Sequence, residues 1–398
     1  MRIATANAND AALNALMTRQ SNLAESQQQL TTGKRVNRAS DDPAAAARAE
    51  RALAAEARGT ANLRAVAASD NAMTLAESAL GDAGDLLQSV REKLVAAGNG
   101  SYSDADRLSL ADELGEMRKQ LLAVANRTDG AGTHLFGGQG ANQAPFVDAA
   151  GGVQFVGTSG QVQAASGEAL PLTVDGQAAW MTARDGNGVF ATRAVTSTGS
   201  AWIDVGSVTD PQLLTGATYS VQFNVSGTAT TYSVLKNGAA TAQTNLAFQP
   251  GQAINVDGMS ATIAGSPANG DAFELAPSNP NLSVFDALDA AIADLRTPNR
   301  SGTQITQANS TNLRNIDAVL GQLQTMRSQV GATMNRIDGV TDRLTASKLS
   351  MRTERSNAED LDMTSALSEF DRQQTGYDAA LKSYSLVQKL SLFNYLNP

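Results

Sequence analysis

The segment LRNIDAVLGQLQTMRSQVGATMNRIDGVTDRLTASKLSM, residues 313–351, decides the architecture. Leu313, Ile316, Leu320, Leu323, Val330, Met334, Ile337, Leu344 and Met351 fill nine of twelve successive positions spaced alternately three and four apart; Arg327, Thr341 and Lys348 are the exceptions. This is the a/d seam of a coiled coil. At about 1.5 Å per residue, ~50 residues of helix reach roughly 75 Å, several times the width of a compact domain. A helix of that length with one apolar stripe needs partner helices to cover it.

The first partner precedes it. From Ala44 to Thr128 the pattern is helical, with Val66, Met73, Leu80, Leu87 and Leu94 at seven-residue intervals and Ala76, Ala83, Val90 and Ala97 three residues behind the last four. Ser40-Asp41-Asp42-Pro43 supplies capping oxygens and a proline at the first helical position, where a missing N–H costs nothing. Gly98-Asn99-Gly100 ends this helix, and Ser103-Asp104-Ala105-Asp106 starts another carrying Leu110, Leu114, Met117, Leu121 and Val124, which should fold back on the first.

Between these helices and the opening segment, residues 137–280 change character. Alternation such as Tyr219-Ser220-Val221-Gln222-Phe223-Asn224-Val225, with turns at Asp175-Gly176, Asn237-Gly238 and Asp257-Gly258, predicts strands and hairpins. Nine acidic residues against Arg184, Arg193 and Lys236 make this part the seat of most of the net charge of -9. Helix resumes after Pro280 in a short segment ending near Pro298.

Both ends carry seams of their own: Leu16, Leu23 and Leu30 at the start, then Met363, Phe370, Tyr377, Leu381 and Tyr384 near the finish, followed by Leu390, Leu392, Phe393 and Leu396. Neither stretch can bury its seam alone. Gln20, Gln27, Gln373 and Gln374 lie on or beside these seams, where polar residues weaken a coil while restricting its register. Ser356-Asn357-Ala358-Glu359-Asp360 predicts a break before the terminal helix, with one continuous helix as the alternative. The expected fold is α plus β, a nested elongated rod of long antiparallel coiled-coil helices formed by the N- and C-terminal parts, with a central β-rich insert. The expected domains are 1–40 with 361–398 as a terminal coil, disordered until assembly, 41–136 with 281–360 as a helical rod, and 137–280 as a β-rich outer domain. Such nesting puts both termini at one end of the rod and the insert at the other.

The chain of 398 residues is 42% hydrophobic and 17% charged, enough for two or three ordinary cores. A pI near 4.8 leaves no broad basic surface for nucleic acid or anionic lipid. With no cysteine there is no disulfide, thiolate nucleophile or Cys-based metal site. Met1 to Asp10 lack the apolar core of a secretory leader, and no run approaches a membrane span of ~20 residues. His134, the only histidine, is expected to be structural; Gly33-Lys34 lacks phosphate-loop spacing; Asp41 and Asp42 before Pro43 suit helix capping better than acid/base or metal chemistry. No cofactor is expected, and an enzyme carried on coiled-coil arms is weakly supported.

LTTGKRVNRASDDPAAAA at 30–47, RSNAEDLDMTSALSEF at 355–370 and YDAALKSYSLVQKLSLFNYL at 377–396 resemble the terminal signatures of the flagellin superfamily, over roughly 250 residues with the rod segments. NRTDGAGTHLFGGQGANQAPF at 126–146 and the following VQFVG at 153–157 are similar to the hook-filament junction family within it, although His134 stands where that family commonly carries an aromatic residue. The resemblance implies a non-catalytic structural subunit of the bacterial flagellum, exported through the type III channel without a cleaved signal peptide. It implies as partners the other junction protein, flagellin, copies of itself in a ring, and an export chaperone at the C-terminal helix. A flagellin with a short outer domain is the alternative. Burying Leu16, Leu23, Leu30, Phe370, Tyr377, Leu381 and Tyr384 would contribute roughly 2 to 3 kcal/mol each before ordering entropy, so assembly should be steep and cooperative.

Overall fold

The structure, a computed structural model, describes residues 2–140, 142–164 and 168–396, and the surroundings of side chains only between residues 10 and 387. In chain order its elements are helices α1 (Arg2–Thr32), α2 (Pro43–Ala97) and α3 (Asp104–Ala125), a hairpin of β1 (Phe146–Ala149) and β2 (Gly152–Phe155), and the short helix α4 (Gly176–Trp180). Ten strands follow: β3 (Phe190–Thr196), β4 (Trp202–Ile203), β5 (Ser207–Val208), β6 (Tyr219–Ser226), β7 (Ala229–Lys236), β8 (Ala239–Ala240), β9 (Leu246–Ala247), β10 (Ala253–Val256), β11 (Met259–Ala264) and β12 (Ala272–Pro277). Helices α5 (Val284–Arg296), α6 (Gly302–Glu359) and α7 (Met363–Leu396) complete the chain. It divides into two units, one of residues 1–64 and 340–398 and the other of residues 65–339.

In the first unit the start of α2 lies antiparallel to the end of α6. Arg355 donates to Glu56 (2.9 Å), and Gly59 faces Lys348. Ala45, Ala49 and Ala52 on α2 and Ala358 on α6 are buried, small residues that let the backbones approach closely. Helix α6 continues through Glu359, so Ser356 to Glu359 are helical and the break falls at Asp360 to Asp362. The carboxylate of Asp362 caps α7, which starts at Met363, two residues later than the break at 356–360 suggested.

The second unit holds the rest of α2 and α6, antiparallel through the ion pairs Arg327 to Glu77 (2.6 Å) and Arg91 to Asp317 (2.7 Å). Both heptad columns expected on α2, from Val66 to Leu94 and from Ala76 to Ala97, are buried. On α6 one column stands as expected, with Ile316, Leu323, Val330 and Ile337 buried. The other runs mainly through Asn312, Val319, Met326 and Val340, on the three-residue step rather than the four-residue one, although Leu320, four residues after Ile316, is buried as expected. Arg327 is thereby off the seam, whereas in the first unit Thr341, Leu344, Lys348 and Met351 are half-buried at the expected spacing, with Lys348 against Gly59. Helix α3 returns along α2, tied by Arg127 to Asp82 and by Lys93 to Glu113, and packs on α5 with Arg296 against Asp112. Its start is a capping box: Ser103 Oγ accepts from Asp106 N–H while Asp106 accepts from Ser103 N–H.

All named strand pairs are antiparallel. One sheet has the order β3-β12-β6-β7-β8 with β9 on β7, and a second has β10-β11-β4 with β5 on β11. Phe190, Tyr219, Val221, Phe223, Phe273 and Leu275 from the first and Ile203, Ile254 and Ile263 from the second form one buried core. Asn237-Gly238 and Asp257-Gly258 join adjacent strands with positive φ at both residues, as two-residue hairpin turns require. Asp175-Gly176 departs from expectation. It opens α4, with Asp175 accepting from Ala178 N–H (3.1 Å), and a Cβ on Gly176 would lie 2.1 Å from the Phe136 carbonyl oxygen. Glycine serves a close approach there, not a turn.

Candidate assembly interface

Helices α1 and α7 pair antiparallel. Ser26 Oγ donates to Gln373 Oε1 (2.9 Å), Gln373 Nε2 donates to Glu369 (3.1 Å), and Gly376 lets Arg19 lie against the α7 backbone. A groove of about 290 Å³ lies between them, lined by Ala12, Leu16, Arg19, Ala380, Tyr384 and Val387 among others. Of the expected seam, Leu16, Leu23, Leu30, Phe370, Tyr377 and Tyr384 are half-buried, whereas Met363 (52%) and Leu381 (41%) are exposed. Leu390 and Phe393 lie outside the described side chains, as do Leu392 and Leu396. Gln373 is half-buried and bonded; Gln20, Gln27 and Gln374 are exposed. No described side chain of residues 10–32 or 363–387 is buried, while Leu13, Met17, Leu367, Leu386 and Val387 are exposed. Two helices in contact can cover only part of each other's circumference, and this pair leaves the remaining apolar surface in water.

Where the pair meets the first unit's other helices, the chain makes a two-stranded joint. Gly33, at φ +69°, closes α1, its N–H bonding the Gln29 carbonyl (2.8 Å) in the left-handed cap that glycine favours. Arg35 N–H then donates to the Glu359 carbonyl (2.7 Å) and Leu361 N–H to the Gly33 carbonyl (3.0 Å). Lys34 Nζ reaches Glu359 (3.0 Å), and Arg35 donates to the Ala358 carbonyl (2.8 Å) and to Asp42 (3.3 Å). Glu359 also faces Arg355, which holds Glu56, so four alternating charges span three chain segments. Lys34, Arg35, Arg355, Glu359 and Glu56 were not identified from sequence. Their types are ordinary for helix surfaces, and only the return of the chain brings them together.

Asp42 caps α2 by accepting from Ala45 N–H (2.9 Å), as expected. Asp41 turns back instead, accepting from Asn37 and Arg38 N–H (3.1 and 2.8 Å), and so braces the loop rather than the helix. The Ala45 amide and then Arg35 hold Asp42 below the ordinary 3.8, and the Ser365 amide holds Asp362 below it likewise. A depressed carboxylate pKa contributes stability that is present above the unfolded value and lost as pH falls through the folded one. The amide shifts of Ala45 and Ser365 should therefore titrate with midpoints below 3.8. Asp42→Asn and Asp362→Asn, which keep a capping acceptor, should flatten the two curves; a midpoint at or above the ordinary value would refute this assignment.

The segment 126–146 is built around Asn126, whose side chain accepts from Phe146 N–H (3.0 Å) and donates to the Phe146 carbonyl (2.8 Å). His134 Nδ1 bonds the Asn126 carbonyl (2.8 Å), placing the histidine in a loop clamp, and Leu135 and Phe136 beyond it are buried. Phe136 meets Trp180 edge-on at 5.5 Å, and Trp180 stacks on Phe285 at 6.0 Å, so the segment anchors α4 and α5 in one aromatic cluster. Among the described residues there is no group of three or more His, Cys, Asp or Glu arranged to hold a metal, and no helix long and apolar enough to cross a membrane.

Residues 3–141 match the bacterial flagellin N-terminal helical region and residues 313–396 its C-terminal helical region. Flagellar hook-associated protein 3 of Escherichia coli is 26% identical over 371 residues, covering 92% of this chain and 90% of that protein. The crystal structure of Xanthomonas campestris FlgL superposes with a TM-score of 0.68 at 30% identity, covering 77% of this chain and 99% of that one. Flagellin E of Vibrio cholerae is 32% identical over only 154 residues, 38% of this chain and 36% of that protein. Similarity to the flagellin is thus partial, whereas similarity to the junction proteins runs through the β-rich region as well. The chain belongs to the flagellin superfamily and, within it, to the hook-associated protein 3 (FlgL) family of flagellar junction proteins.

Proposed function

We propose that this chain is the structural subunit that joins hook to filament, incorporated by coiled-coil packing of its terminal helices. The observation that carries this reading is the terminal pair itself, which has no buried described side chain and a row of exposed Leu, Met and Val. Such a pair is completed by neighbours. Its contacts are the other junction protein on the hook side, flagellin on the filament side and copies of itself in a ring, with an export chaperone covering the C-terminal helix beforehand. The location is extracellular, reached through the flagellar type III channel, and the role is structural rather than catalytic.

Electron microscopy of cells lacking the protein tests the reading. Hooks without filaments, with flagellin secreted into the medium, are the expected result; filaments of normal length would exclude a junction role. Filaments grown from the purified chain unaided would instead favour the flagellin reading.

The three-part organisation, with residues 1–40 and 361–398 ordering only on assembly, has its own measurement. Limited proteolysis of dilute monomer should remove both ends and leave a core of roughly residues 45–355, because helices without buried side chains open at little cost. Ends that resist cleavage in the monomer would contradict that partition.

A further inference from the structure

We propose that the cleft between α2, α6 and the 184–188 loop of the second unit is an oxyanion-binding site, read by Arg184 and Arg314 and suited to carboxylates. Its volume is about 600 Å³, and it is lined by Arg91, Arg184 and Arg314 with Asp317 as the only acidic residue. Asp317 is committed to Arg91, at 2.7 Å. Arg184 is exposed and has no hydrogen bond or ion pair among the described residues. In a chain of net charge -9 this is a concentrated positive site.

Arg314 is the second and independent observation. It is 7% exposed, and one guanidinium nitrogen donates to Thr192 Oγ1 (3.1 Å), while Nε and Nη2 are buried without an acceptor. A guanidinium does not shed its proton at any ordinary pH, so burial with unmet donors is a standing cost to the fold. One oxygen of the nearby Asp204 accepts from Gly206 and Thr262 N–H (3.0 and 2.9 Å), and Arg314 Nε and Nη2 bond neither of its oxygens. An acceptor from outside would meet these donors, and the planar fork of arginine pairs with carboxylate oxygens two at a time. The cleft is roomy enough for a free polycarboxylate or for an acidic side chain of a second copy, and the β-rich region of this same chain carries nine acidic residues against three basic ones.

The full chain titrated with citrate at low salt tests the site by calorimetry and thermal melting. Saturable 1:1 binding with a citrate-dependent rise in Tm is expected. Arg184→Gln should weaken it ~tenfold and Arg314→Met should remove it. Arg184 is exposed and unpaired, so its variant decides the matter if Arg314→Met fails to fold. Sedimentation over a concentration series separates the two sources. Self-association that citrate and Arg184→Gln both abolish assigns the carboxylate to a second copy, and a monomer throughout assigns it to a free anion. No saturable binding, or binding that survives both substitutions, overturns the proposal whether or not the chain is a junction subunit.

Discussion

A chain carrying Phe370→Ser and Tyr377→Ser is expected to fold in its β-rich unit, to be exported, and to be absent from flagella, leaving cells non-motile. Both residues lie one heptad apart on α7 and are half-buried against α1, where the monomer covers only part of their surface. Full cover contributes roughly 2 to 3 kcal/mol for each large side chain, completing the half already buried contributes about half of that, and serine forfeits nearly all of it. Each incorporated copy needs the same contacts, so a loss of ~2 to 3 kcal/mol per subunit lowers each association constant roughly 30- to 150-fold. Swimming assays, together with immunoblots of sheared flagella and culture medium, read the outcome. Normal motility with the variant present in flagella would refute a seam role for this face, and near-ultraviolet circular dichroism of the purified chain checks that the β-core, with Phe190, Phe223 and Phe273, is intact.

The second large effect tests the register of α6. Val319→Asp should destabilise the second unit by at least ~4 kcal/mol, because it places an unpaired carboxylate in a fully buried seam position. Arg327→Ala should cost no more than ~1 kcal/mol: its ion pair with Glu77 is exposed, and its guanidinium lies over Gly81 outside the buried seam. Urea unfolding followed by circular dichroism gives both values. Had the second column been Leu313, Leu320, Arg327 and Met334, Val319 would tolerate charge and Arg327 would not, so the opposite ranking would sink the observed packing.

Much of the architecture was legible in the chain. Seven-residue spacing on α2 identified side chains that are buried in both columns, from Val66 to Leu94 and Ala76 to Ala97. Pro43 and Ser103 marked helix starts, and Asn-Gly and Asp-Gly marked two hairpin turns. The seam of α6 was half legible. Leu313, Leu320 and Met334 made the four-residue step look apolar, and Val319, Met326 and Val340 made the three-residue step equally so. A single helix cannot rank two adjacent stripes of similar hydrophobicity; its partner does. At the terminal helices the expected stripe is spread from half-buried Leu16, Leu23, Leu30, Phe370, Tyr377 and Tyr384 to exposed Met363 and Leu381, because one helix covers only one side of another.

Sequence alone determined the long helices, their caps and stops, the strand-bearing middle and the family, since each rests on residues within a few turns of one another. Tertiary structure decided what needs distant residues. It chose which stripe of α6 is buried. It made Gly176 a contact for the Phe136 carbonyl rather than a turn, and joined Lys34 and Arg35 to Ala358 and Glu359 across more than 300 positions. It also enclosed Arg314 beside Thr192 with donors unmet. Local patterns carry backbone preference and the period of burial, but they do not carry the identity of the neighbour, and these features are all set by a neighbour.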